Sequence, residues 1–79
     1  MNLEIVSPEK IIYTGEAESL TLPGLNGSFT ILNRHAPIIS ALKKGVVSYR
    51  LNGKEEAVEV MISEGFVEVM KNTVSVCIE

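Results

Sequence analysis

The chain has 79 residues, 46% hydrophobic and 22% charged, a composition that makes one small globular domain and excludes a disordered acidic segment. The net charge of −3, with seven basic residues scattered apart from Lys43-Lys44, excludes a nucleic-acid binder because no cationic stripe follows a phosphate backbone. No apolar run approaches the ~20 residues of a membrane span, Met1-Asn2-Leu3-Glu4 does not open a secretion signal, and the lone Cys77 allows no internal disulfide, so a soluble, unexported chain in a reducing compartment is expected.

Taken in chain order, Leu3–Val6 and Ile11–Tyr13 are short β-rich runs separated by Ser7-Pro8, where Ser7 reads first as turn chemistry. After Thr14-Gly15 comes Glu18–Leu22, and the loop Pro23–Gly27 leads into Phe29–Leu32. His35 follows at a corner beside Pro37. A histidine bonded to a backbone carbonyl is the favoured reading there, ahead of a docking or pH-sensitive group. Ala36 to Lys44 is the one stretch with room for a turn or two of helix before Gly45.

Beyond Gly45 the period is two. Val47, Tyr49 and Leu51 share one face, and Val58, Val60 and Ile62 share another. Asn52-Gly53 between these runs predicts a type I′ hairpin, and Lys71-Asn72 is the predicted turn between Gly65–Val69 and Val74–Ile78. About eight to ten short strands in one domain over residues 1–79 fit an all-β sandwich or flattened barrel.

Catalytic chemistry finds little to work with. There is no Asp and only one His, so neither a nucleophilic triad nor an Asp-rich calcium loop exists, and one His with one Cys does not make a zinc site. Glu16 and Glu18, placed by spacing on one face of a strand, and Glu55-Glu56 read as solvated carboxylates. Gly24-Leu25-Asn26-Gly27 lacks the Gly-Lys-Ser/Thr ending and following helix of a phosphate loop. No cofactor or metal is expected.

The combination Leu22-Pro23-Gly24-x-x-Gly27-x-Phe29, Ile31-Leu32, His35-Ala36-Pro37 and Gly45 resembles the epsilon subunits of F-type ATP synthases. Leu3-Glu4-Ile5-Val6-Ser7-Pro8, Gly65-Phe66-Val67-Glu68-Val69 and Asn72-x-Val74-x-Val76 extend the resemblance over essentially the whole chain. It implies a flattened β-sandwich of about ten short strands. It also implies a non-catalytic rotor-stalk subunit that sits on the gamma subunit and touches the c-subunit ring, at the cytoplasmic face of a bacterial plasma membrane without inserting into it.

By the same resemblance Gly24, Leu25, Asn26, Gly27 and Ser28 match the loop facing the c ring, and Ser7, His35 and Ser40 match positions facing gamma. Asn26 stands where an acidic residue is frequent, and Asn33 and Arg34 stand where Pro and a small or polar residue are frequent. Many members continue into an inhibitory, sometimes ATP-binding, helical hairpin. With the chain ending at Glu79, the expectation is a short form with neither hairpin nor nucleotide site. The competing class is a free-standing β-sandwich module for a glycan or small ligand, disfavoured by aromatics limited to Phe29, Phe66, Tyr13 and Tyr49.

Overall fold

In the computed structural model, which describes all of residues 1–79, the alternation of apolar and polar side chains resolves into nine strands and no helix. They are β1 (Asn2–Val6), β2 (Ile11–Glu16), β3 (Ser19–Gly24), β4 (Gly27–Leu32), β5 (Ile38–Leu42), β6 (Gly45–Arg50), β7 (Ala57–Ile62), β8 (Gly65–Met70) and β9 (Thr73–Ile78). Nine falls within the range predicted from the alternation and is one fewer than the resemblance implies.

The strands follow the path β2-β1-β9-β8-β5-β3-β6-β7, with β4 beside β3. The path folds where β5 meets β3, because a single pair, Gly24 with Leu42, joins them. One layer is therefore β2-β1-β9-β8-β5 and the other β4-β3-β6-β7. Leu3, Ile5, Val67, Val69, Val74 and Val76 line the inner side of the first, and Leu20, Leu22, Ile31 and Val47 that of the second, all essentially inaccessible to solvent. Each residue between them in sequence points outward, as period two requires. Tyr13 on β2 and Tyr49 on β6 lie 4.8 Å apart between ring centroids and pack the layers together on the side away from the fold.

Three expectations are corrected. Ala36 to Lys44 forms no helix: Ile38–Leu42 is strand β5, paired along its length with β8, since Pro37 followed by β-branched Ile38-Ile39 suits an extended chain. The β6–β7 connection is six residues wide, with Arg50 opposite Ala57, in place of a two-residue I′ turn. Lys54 N–H donates to Leu51 C=O at 3.1 Å and only Gly53 has positive φ (76°), the pattern of a type II turn. The I′ geometry falls at Lys71-Asn72, with φ of 51° and 60° and Met70 paired to Thr73. Glu16 and Glu18 share no strand face either. Glu16 ends β2 at 3.7 Å from the Met1 amine, and Glu18, beyond the buried Ala17, pairs with Arg50.

Candidate functional site

Because every strand traverses the sandwich, the connections gather at two ends, separated by roughly 20 Å from six residues at about 3.3 Å each. At the first lie Ser7–Lys10, the β3–β4 turn, Lys43-Lys44 and Ser63-Glu64. The second holds Ala17-Glu18, Asn33–Pro37, Leu51–Glu56 and Lys71-Asn72.

The β3–β4 hairpin is the most shaped of these connections. Gly24 pairs with Gly27, leaving Leu25-Asn26 as its tip, and Gly27 sits at φ 126°. A Cβ on Gly24 would lie 2.8 Å from both the Gly27 carbonyl oxygen and the Phe29 ring, so only glycine lets the turn close this tightly. The tip curls over the end of the sandwich onto β5. Leu25 N–H donates to Ala41 C=O at 3.3 Å and Lys43 N–H to Pro23 C=O at 2.8 Å. Leu25, Asn26, Gly27 and Ser28 are exposed, with Leu25 60% accessible.

Two hollows flank this tip. The smaller, of 460 Å³, lies between the tip and β5 and is lined by Ser28, Phe29, Ile39 and Ser40. The larger, of 640 Å³, lies on the outer side of the first layer between Ser7, Leu25, Ala41, Phe66 and Cys77. Leu25 lines both. The structure thus brings Ser7 and Ser40 to the same end as Gly24–Ser28.

His35 is at the other end. Its Nδ1 lies 2.7 Å from the Ala36 carbonyl oxygen, the backbone-bonded corner histidine that turn chemistry favours. Ser7 likewise acts in its turn: its N–H donates to Lys10 C=O at 2.9 Å, and its hydroxyl oxygen accepts from Lys10 N–H at 3.3 Å. No group of three or more His, Cys or carboxylate side chains converges as a metal site would require, and no helix is long and apolar enough to cross a membrane. The one titratable group clearly displaced is Tyr49, whose phenol is pushed up by burial and further by Tyr13.

The apolar row on the outer face of the first layer is a feature that period-two reasoning passes over. Strand register aligns Ala41, Phe66 and Cys77 across β5, β8 and β9, then Val6 on β1 and Ile11 on β2. Phe66 is 50% and Ile11 62% exposed, with Ile39 at 74% nearby. The signal was present as apolar residues on both phases of one strand, in Ile11-Ile12, Ile38-Ile39 and Phe66-Val67.

Residues 1–79 match the family model described as "ATP synthase, Delta/Epsilon chain, beta-sandwich domain". Over 76 residues the chain is 43% identical to an ATP synthase epsilon chain of Leptospira borgpetersenii, covering 96% of this chain and 58% of that one. It is 47% identical over 74 residues to that of Desulfitobacterium hafniense, covering 94% and 54%. With the epsilon chain of Chlorobaculum tepidum it shares 44% identity over 70 residues, covering 89% and 78%. The chain therefore spans little more than half the length of the first two relatives. Among solved structures, a chain in the mitochondrial ATP synthase central stalk and c ring of Tetrahymena thermophila superposes with a TM-score of 0.84 at 18% identity, covering 98% of this chain and 61% of that one. A chain in the OSCP/F1/c-ring assembly of Euglena gracilis gives 0.91 at 19% identity, covering 99% and 49%. At these identities the superpositions speak to the fold.

Proposed function

The chain belongs to the β-sandwich family of ATP synthase delta/epsilon chains, and on that premise we propose that it serves as a non-catalytic subunit of the rotor stalk, held between the gamma subunit and the c-subunit ring. The match to the family over residues 1–79 carries this reading. In it, Gly24, Leu25, Asn26, Gly27 and Ser28 meet the ring, Ser7, His35 and Ser40 face gamma, and the domain works at the cytoplasmic face of a bacterial plasma membrane without entering it.

The task would be mechanical. A domain whose two layers interlock through a close-packed core passes a displacement on with little loss, and short turns leave few compliant segments. No residue of the chain is asked to bind nucleotide or to perform a chemical step.

Co-expression with the gamma subunit and c ring of the same organism tests the reading. A stable complex with gamma is expected. Asn26→Lys and Ser28→Glu should keep gamma but weaken retention of the ring. A chain that elutes free of gamma at micromolar concentration would overturn the proposal, and unchanged ring retention in both variants would overturn the assignment of the tip.

A further inference from the structure

Where β4 and β5 border the smaller hollow, its walls are unpaired strand edges. In the β3–β4 hairpin the hydrogen-bonded pairs are Gly24-Gly27, Leu22-Phe29 and Leu20-Ile31, because a two-residue tip closes on a bonded pair and bonding then alternates. Pro23, which has no N–H, accordingly falls opposite Ser28 in an unbonded pair. The N–H and C=O groups of Ser28 and Thr30 therefore point away from β3, and no other backbone group takes them up. Across the hollow, Ala41 C=O turns away from β8 to accept Leu25 N–H. Ile39, two residues earlier on the strand, presents its own N–H and C=O on that same side, also unpaired.

The other free edges are guarded. β7 carries Glu59 and follows Glu55-Glu56, β2 has a register shift against β1 and ends in Glu16, and Tyr13 packed on Tyr49 joins the layers on their side. β4, in contrast, holds no charge and no proline, keeps an unbroken register with β3, and borders a 460 Å³ hollow that no charged residue lines. Facing layers stand about 10 Å apart, twice the ~4.8 Å between paired strands, so the open side has room for one strand between the two edges. We propose that an extended, uncharged segment of a partner protein adds there, pairing with β4 through Ser28 and Thr30. Apolar side chains at every second residue of that segment lie against the half-buried Phe29, and its far edge meets Ile39. A second copy of this chain is the wrong occupant, because its β4 arrives with two layers attached and the gap admits one strand. The inference stands apart from the stalk reading.

The test is a titration of the full chain, followed by amide NMR, with a capped peptide of alternating valine and threonine. Signals of Ser28, Thr30 and Ile39 should shift saturably at millimolar peptide. The same peptide N-methylated along its backbone keeps its side chains but loses its donors, and should not bind. Thr30→Pro removes a donor that the β3 ladder does not use, as edge strands tolerate, and should weaken binding roughly two- to tenfold for the one bond lost. Thr30→Val keeps that donor and should bind as the unaltered chain does. Equal binding of the N-methylated peptide, or no saturable shift at these amides in the unaltered chain, would overturn the inference and leave the stalk reading standing. Shifts at the same amides when the chain is concentrated without peptide would assign the edge to a second copy, and so overturn it as well.

Discussion

The side-chain oxygen of Asn72 accepts the backbone N–H of Arg34 at 2.8 Å, joining two left-handed residues that lie 38 positions apart in the chain. Through this bond the β8–β9 turn steadies the loop that carries His35. Asn72→Ala should therefore lose about 2 kcal/mol, combining one hydrogen bond with the cost of left-handed alanine. Asn72→Gly forfeits only the bond, about 1 kcal/mol. Urea midpoints of the three proteins measure the difference, and equal loss in both variants would show that the backbone conformation contributes nothing.

Gly24→Ala tests the close approach at the tip. Its Cβ would meet the backbone oxygen of Gly27 at 2.8 Å, a partner that does not swing aside as a flexible side chain does. A cost of about 1–3 kcal/mol is expected, as for overpacked sites. If the tip meets the ring as proposed, ring retention falls with it. Hydrogen exchange at Leu25 and Lys43, whose amides bond to Ala41 and Pro23, reports whether the tip has lifted from β5.

The phenol of Tyr49 titrates above its ordinary 10.0 because burial, and then Tyr13, disfavour the phenolate. The unfolded chain gives up that proton first as pH rises. The contribution to stability is thus complete below about pH 10 and is lost as pH climbs through the folded value. Tyr49→Phe should flatten the alkaline limb of the stability profile relative to the unaltered protein. Parallel limbs would sink the prediction.

An inward residue of one layer and an outward residue of the other should differ sharply in their response to truncation. Leu20→Ala, at a fully buried site, is expected to cost about 2–5 kcal/mol. Phe66→Ser, at a half-exposed site on the outer apolar row, should cost much less and raise solubility. Comparable losses would mean that Phe66 belongs to the core.

Most of the strand content was legible because burial in a two-layered sheet writes itself into alternate residues: Val47 and Tyr49, or Val74, Val76 and Ile78, are apolar for that reason alone. Turn geometry was less legible. Asn52-Gly53 has the composition of an I′ turn, yet the six-residue loop around it relieves the tight pairing that geometry serves, while Lys71-Asn72 adopts it because Met70 and Thr73 are held in register by β8 and β9. Strand β5 was hidden because its pairing to β8 is remote in sequence and its Ala41-Leu42-Lys43-Lys44 end favours helix. Of the candidate site, the tip and its glycines were visible. That Ser7 and Ser40 stand beside it, with His35 at the far end, depends on the fold between β5 and β3, where one residue pair decides the arrangement.

The parallel pairing of β1 with β9 dictates the order of events during synthesis. Leu3 and Ile5 are among the first side chains made, but their neighbours Val74 and Val76 are among the last of these 79 residues. Until β9 leaves the ribosome, β1 has only β2 beside it, and a lone hairpin is marginal in water. The N-terminal hairpin must therefore wait, unprotected, for nearly the whole domain to emerge. A nascent chain halted before Thr73 should show exchange-labile amides throughout β1 and β2, and one extended past Ile78 should protect them together.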